Sequence, residues 1–590
     1  MRAKPATLTP ALSQRAREIA TTCCLSLFHG RKALTWTQHR CKFFVSSKKK
    51  NMELEHEHSV LRSVSVVSGM TAISRVLGLV REIAMAYFFG TSALKSAFDI
   101  AFIIPNLFRR LFGEGALSSA FVPVFSECLV KQGRERAFHL SAHVISFLVL
   151  VLGCVTVLGV VLTYPLAAWL PEGSRWLLPL PMLRIMLPYA LLICIAALLS
   201  GMLNALGRFA ISALTPFLLN VIWIATLFMV APFFFHAPEG QILILSWAIL
   251  FAGLAQILFQ LPALSGFGFH CRLRFQSLLA DKDMRRVLSL MGPAALGIGL
   301  IQVNVCVDKF LAFWADPAAP AALEYAERLI YLPLGMFGTA FMTVLLPTFS
   351  RQASANDLEA LRTTLERAMR NLIVIMAPCS AGLLVLALPV INFVYAMKGG
   401  RFDQESAMLS ARALAAYAPG LLIFSFQKAL TPAFYGLQDL KTPVRISLFA
   451  LLLNLMLNIS SVLILPHGWK HVGIAGSTVV TSLANSIVLG IFLHRRVRAP
   501  RIFAFGKTVC KAVTCAFIMA FVSKMVWMLG TRYIAEIGYE SKLTEALVMM
   551  LTLLVGGGVY GGLMLIVGKR EMREMLGEFR HGRRVKGSVK

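Results

Sequence analysis

The stretch PNLFRRLFGEGALSSAFVP, residues 105–123, places Arg109, Arg110 and Glu114 inside an otherwise apolar run. Comparable charges interrupt other apolar runs: Arg75, Arg81 and Glu82 in SRVLGLVRE, Asp308 and Lys309 after IQVNVCV, and Glu327 with Arg328 in YAERL. An arginine at the centre of a membrane-spanning helix costs about 2.5–3.5 kcal/mol even on the lenient insertion scale. Four of them facing lipid would cost roughly 10–14 kcal/mol, so they are expected to face a polar interior. There, a planar guanidinium fork matches phosphate oxygens in a bidentate way, and exclusion of water strengthens each contact. The competing use is structural, with arginines snorkelling to headgroups or pairing internally, and for Arg110 the two readings stand level.

Spacing refines the picture. Arg75 and Arg81 lie about 9 Å apart along a helix and about 120° around it, which suits one broad chamber rather than a narrow stripe. Glu82 returns to nearly the face of Arg75. Arg110 and Glu114 have the i,i+4 spacing of an ion pair, whereas Arg109 points about 100° away and is the better candidate for an external ligand.

The elements that must position these groups are membrane helices. The chain of 590 residues is 57% hydrophobic and 15% charged, and its mean hydropathy is +0.71. Those values exclude an ordinary soluble domain. Apolar runs long enough to cross a hydrocarbon core recur at about 64–89, 97–126, 141–169, 181–206, 214–236, 241–264, 286–314, 325–350, 367–397, 408–435, 443–465, 472–494, 507–529 and 543–567. The expected fold is therefore an all-α polytopic membrane protein of about fourteen spans, because neither alternating ten-residue strands nor barrel-type turns appear.

The formal charge of +29 encodes topology. Loops after even-numbered spans carry clusters such as Lys131, Arg134 and Arg136, or Arg495, Arg496 and Arg498; loops after odd-numbered spans hold scattered residues such as Lys95, Arg175, Lys398 and Arg401. The positive-inside rule then puts both termini in the cytoplasm and argues against nucleic acid as a partner. Trp169, Trp176, Trp314, Trp469 and Trp527 fall near expected outer ends, as an interfacial belt requires. The 11 cysteines include no CxxC and read as packing residues.

Residues 1–51 form a basic leader with the single acid Glu18. It reads as an over-extended start ahead of Met52, with an organelle transit peptide as the alternative, and is expected to be disordered. Two stretches echo each other, FVPVFSECLVKQGRERA at 121–137 and LLPTFSRQASANDLEA at 345–360, and a fainter echo sets Asn220 against Asn454. They suggest a parallel repeat: a first lobe of six spans over 52–264, a second over 265–494, two appended spans within 495–567 and a basic tail at 568–590.

The motifs SRVLGLVRE, PNLFRRLFGEGALSSAFVPVFSE, MGPAALGIG, YAERLIYLPLGMFGTAFMTVLLPTFSR and GLQDLKTPV together resemble the MurJ/MviN family of lipid II flippases, from about Met52 to about residue 570. That family belongs to the multidrug/oligosaccharidyl-lipid/polysaccharide exporter superfamily, with fourteen helices in two lobes around a central cavity. The resemblance implies movement of an undecaprenyl-diphosphate-linked peptidoglycan precursor from the inner to the outer leaflet of a bacterial inner membrane. It implies no enzyme activity, and its cavity arginines carry over onto Arg75, Arg81, Arg109 and Arg328, with Glu114 at an acidic position. One departure is Ser96, where some relatives have Asp; Asp99, nearly one turn later, is the candidate substitute.

The expected mechanism is alternating access, driven by membrane potential or an ion gradient, with the two appended spans within 495–567 as the expected groove for the polyprenyl tail. The chain has no GxxxxGK[ST] phosphate loop, and outward movement of an anion is downhill by about 2.3 kcal/mol per charge per 100 mV. No cofactor is expected. Na⁺ or H⁺ is the candidate coupling ion, with Asp308, Asn454 and Asn458 as candidate Na⁺ ligands and interhelical packing as their other use. Expected partners are lipid II, membrane lipids and cell-wall synthesis or division proteins, around a monomer. The alternatives are an exporter of another lipid-linked oligosaccharide, a cationic-drug exporter, a membrane glycosyl- or acyltransferase and a division scaffold. The arginines argue against a cationic drug.

Overall fold

The computed structural model describes Met70 and residues 73–497, 505–538 and 541–573, apart from 271, 277 and 279. The expected basic leader and the tail beyond residue 573 lie outside these residues. Every regular element among the described residues is a helix. In chain order the α-helices are α1 (73–89), then α2 (Ala93–Phe108), α3 (Leu117–Lys131), α4 (Arg134–Trp169), α5 (Pro179–Met186), α6 (Tyr189–Ala205) and α7 (Phe209–Ala225). They continue with α8 (Ala231–Phe234), α9 (Pro238–Ser265), α10 (Lys282–Ala315), α11 (Ala319–Pro333), α12 (Thr339–Ser354) and α13 (Leu358–Val385). The last are α14 (Ala387–Tyr395), α15 (Gln404–Tyr417), α16 (Gly420–Gly436), α17 (Lys441–Ile464), α18 (Lys470–Val497), α19 (Gly506–Ile537) and α20 (Lys542–Val567).

Nine helices among the described residues are long and apolar enough to cross a membrane, and up to 11 if each of two bent pairs counts as one span. The expected spans 97–126 and 286–314 are also helical over their lengths, and the expected first span is described as helix over 73–89. Side-chain caps fix several starts: Ser92 accepts from the Lys95 amide, Asp281 from Asp283, Asp357 from Ala360 and Asp403 from Ser406.

Among the described residues, three spans change hydrogen-bond pattern midway. Pro105 sits within α2, and Arg109–Ala116 then forms a π-helical segment that runs into α3. Similar segments occur at Thr226–Val230 and, directly after Pro333, at Leu334–Gly338 between α11 and α12. A proline deletes one donor from the ladder, and the wider π turn re-aims the side chains that follow. The segments at Arg109 and Leu334 lie shortly ahead of the two stretches, 121–137 and 345–360, that resemble each other in sequence.

Apolar side chains collect in two clusters. The first gathers Phe98, Phe121, Phe125, Tyr189 and Trp223; the second gathers Tyr325, Phe349, Tyr395, Phe434 and Met564. Helix α1 serves both, giving Ala84, Met85 and Phe89 to the first and Ala86 to the second. Helix α10, which the sequence boundary at 264/265 gives to the second lobe, does the same: Met284, Val287 and Phe313 enter the first cluster, Ala312 and Ala315 the second. These two helices form the seam, where the charged residues of α1 meet those of α11. Helices α19 and α20 pack on the second cluster through Ala512, Ala516, Ala520 and Tyr560, whose hydroxyl donates to the Val374 carbonyl at 2.7 Å.

At one end the seam is stitched by polar contacts. The Tyr325 hydroxyl donates to the Gly90 carbonyl at 2.9 Å, the Arg401 amide to the Tyr87 carbonyl at 2.8 Å, and the Thr91 hydroxyl to Ser406 Oγ at 2.8 Å. Gly90 is required there: its φ is +56°, and a Cβ would stand 2.4 Å from the Arg401 carbonyl oxygen.

Candidate functional site

Helix α1 delivers Arg81 and Glu82 to the seam, and α11 delivers Glu324 and Arg328 one turn apart. Glu82, only 3% exposed, accepts from arginines of both helices through one oxygen: Arg81 Nη2 at 2.7 Å and Arg328 Nη2 at 3.0 Å. Arg328 also reaches Glu324 at 3.3 Å, and the other oxygen of Glu324 pairs with Lys309 of α10. The result is a ribbon of alternating charge, Arg81, Glu82, Arg328, Glu324, Lys309, across three helices. Buried charges persist only when paired and hydrogen-bonded, so each member holds its neighbours in place.

Arg81 is fixed on its other side as well. Its guanidinium lies 4.5 Å from the Trp223 ring centre, and Nη1 donates to Asn220 Oδ1 at 3.2 Å. Asn220 in turn donates to the Ser74 carbonyl at 3.2 Å. The cation–π face and the amide orient the fork toward Glu82.

Beside the ribbon, Lys95 Nζ lies 2.6 Å from both carboxylate oxygens of Asp99, one turn along α2, and the pair is buried. The remaining candidates have neutral oxygens among their partners. Arg75, an exposed residue, donates to the Gly335 carbonyl at 3.1 Å, inside the π-helical segment Leu334–Gly338. Arg109 Nε donates to Asn106 Oδ1 at 2.9 Å, and Arg110 Nη1 to Gln302 Oε1 on α10 at 3.0 Å. The backbone of Glu114 belongs to the first π-helical segment, and its side chain, with the expected Arg110 pairing, lies outside the described residues.

A second polar corner joins α10 to α17. Asn458 Nδ2 donates to Asp308 Oδ1 at 2.6 Å and to Asn454 Oδ1 at 2.9 Å. Asn454 and Asn458 are fully buried, at 1% and 0% exposure. Asn458 Oδ1 and Asn454 Nδ2 are shielded atoms with no partner among the described residues.

The structure thus brings Arg81 and Arg328 together on Glu82, and Asp308 together with both asparagines. It sets Asp99 on Lys95. Sequence reasoning missed Glu324, Lys95, Asn220 and Trp223 as partners. For Glu324–Arg328 and Lys95–Asp99 the signal was present as i,i+4 spacing of opposite charges. For Asn220 it was only the faint echo with Asn454.

The family model for the lipid II flippase MurJ matches residues 85–543. The probable lipid II flippase MurJ of Rickettsia prowazekii is 30% identical over 513 residues, spanning 85% of this chain and 97% of the relative. That of Vibrio cholerae serotype O1 is 34% identical over 447 residues, spanning 74% and 83%. Among solved structures, a lipid II flippase MurJ in an inward closed conformation superposes with a TM-score of 0.67 at 25% identity, over 86% of this chain and 99% of that one. An inward-facing multidrug resistance MATE transporter of the MOP superfamily shares the fold, with a TM-score of 0.58 at 14% identity, over 73% and 98%. The chain belongs to the lipid II flippase MurJ family.

Proposed function

We infer that this chain carries lipid II, a polyprenyl-diphosphate-linked peptidoglycan precursor, across the bacterial inner membrane by alternating access, with both termini cytoplasmic. The observation that carries this reading is Glu82, a single carboxylate shared by Arg81 of α1 and Arg328 of α11. A diphosphate offers the same kind of acceptor with more charge and more oxygens. Arriving between the helices, it takes over the two guanidinium forks from Glu82, while Arg75 on α1 and Arg109 at the start of the first π-helical segment extend the cationic wall. Exchange of an internal anion for a ligand anion changes which helices are tied together. That gives binding a handle on the seam without covalent chemistry.

The Asp308 corner serves as the proposed coupling site. An asparagine amide fills the same volume with its oxygen and nitrogen exchanged. A half-turn of Asn458 therefore presents Oδ1, now without a partner, toward Asp308 and Asn454 Oδ1. Three oxygens, one of them anionic, then converge as a small hard cation such as Na⁺ requires. Asp308, Asn454 and Asn458 would hold the ion, which supplies charge balance between α10 and α17.

The test is complementation. In a bacterium depleted of its own lipid II flippase, this chain should restore lipid II to the outer leaflet, read by an externally added membrane-impermeant enzyme that cleaves it. If the chain accumulates in the membrane and lipid II stays internal, the reading is wrong. A different lipid-linked oligosaccharide exported in its place would favour the runner-up.

A further inference from the structure

Away from the seam, α4 opens with two histidines one turn apart, His139 and His143, whose rings meet edge to face at 4.6 Å. The N-cap of α10, Asp281, reaches the same place from the distant end of the preceding loop. Its Oδ2 lies 3.0 Å from His143 Nδ1. Its Oδ1 accepts from Arg136 Nη2 at 2.7 Å and from the Asp283 amide at 2.9 Å. Arg136 also reaches Asp283 Oδ2 at 2.8 Å. One ligand atom from each of His139, His143 and Asp281 can be chosen so that all lie within 4.8 Å of one another. A cleft of about 510 Å³ opens onto them.

A hydrogen bond accounts for Asp281 and His143 and leaves His139 unexplained. Its Nδ1 is shielded from water and has no partner among the described residues. A buried ring nitrogen without a partner is costly, and a metal ion is one group that satisfies it. Two imidazoles at i,i+4 with a carboxylate make a standard donor set for a four-coordinate divalent ion. Its ligand atoms stand about 3.3 Å apart when bond lengths are near 2.0 Å. The His143–Asp281 separation of 3.0 Å is already close to that, and the His139 nitrogen, within 4.8 Å of both, has at most about 1.5 Å to close. Imidazole nitrogen selects a first-row transition ion over Mg²⁺ or Ca²⁺. Arg136 and the Asp283 amide hold the other oxygen of Asp281, as outer partners do for a ligating carboxylate. The cleft leaves the fourth position to water.

We propose that His139, His143 and Asp281 form a site for Zn²⁺ or a related divalent transition ion, which clamps the start of α4 to the start of α10. The experiment uses the full chain, purified in detergent and stripped with chelator, titrated calorimetrically with Zn²⁺ and followed by Co²⁺ ligand-field absorption. The expected result is one ion per chain, a tetrahedral Co²⁺ spectrum, and affinity weakened about tenfold or more in both H139A and H143A. H236A, at a histidine outside this cluster, should bind as the parent does. Because a cluster variant can lose its fold, thermal melting of the unmodified chain with and without Zn²⁺ provides a second readout, with a rise in melting temperature expected. No binding and no thermal shift overturn the proposal. Binding that survives the H139A/H143A double substitution also overturns it, since that ion then sits on other histidines.

Discussion

The α1–α11 junction and the α10–α17 junction are both polar and built of buried and half-buried residues, yet they solve opposite problems. At the first, carboxylates and cations alternate, so Glu82 and Glu324 each meet two cations. At the second, one carboxylate, Asp308, is met by the amide of Asn458, and a shielded amide oxygen is left over. A ribbon of paired charges resists losing any member and yields only by exchange, which suits an anionic ligand. A carboxylate held by neutral amides keeps its negative charge uncancelled by those partners, which suits a cation.

Substitutions should separate the two junctions in order of size. Glu82→Ala leaves Arg81 and Arg328 without their shared carboxylate and should cost about 3–5 kcal/mol of stability, read from thermal or denaturant unfolding in detergent. A loss below about 1 kcal/mol would mean the ribbon is not a structural unit. Arg328→Gln removes a charge-assisted contact and should lower lipid II exposure about 10- to 100-fold in the complementation assay while the protein still accumulates. Gly90→Ala forces a side chain into a left-handed conformation against the Arg401 carbonyl. It should cost at least about 1–2 kcal/mol and loosen the stitched end of the seam, seen as faster hydrogen exchange at the Arg401 amide.

Asp308→Asn is expected to behave differently, because an amide replaces a carboxylate among amides. Stability should change by less than about 1 kcal/mol, while any dependence of transport on Na⁺ disappears. Retention of wild-type ion dependence would remove Asp308 from coupling. The smallest effect concerns Asp439, ahead of α17. The Thr442 amide above all, with the Thr442 hydroxyl and Arg496, holds its carboxyl below the ordinary value of 3.8, against the opposing effect of burial. A depressed carboxyl stabilises above its unfolded value and loses that contribution as pH falls through the folded one. Protection of the Thr442 amide, its exchange rate relative to an unstructured amide at the same pH, should therefore fall only as the pH drops below about 3.8.

Much of this arrangement is legible in residue order because membrane helices announce themselves by length and apolarity, and a charge within one is conspicuous. Arg75, Arg81, Arg109 and Arg328 are visible for that reason. Glu324 and Lys95 are not, since they lie where an apolar run meets a loop and composition alone assigns them to the surface. The π-helical segments leave no compositional mark beyond nearby Pro105, Gly113, Gly115 and Pro333, because the change is in hydrogen-bond register. The pairing of His143 with Asp281 is tertiary: neither has a local reason to be near the other.

The central claim is that Glu82 stands where a ligand diphosphate must go. It is tested most directly by measuring how undecaprenyl diphosphate stabilises the purified Glu82→Gln protein against heat. With the internal competitor neutralised, the lipid should bind more tightly and raise the melting temperature more than in the unmodified chain, and Arg81→Gln with Arg328→Gln should abolish the rise. Equal stabilisation with and without the Glu82 charge, or full stabilisation after loss of both arginines, would contradict the claim.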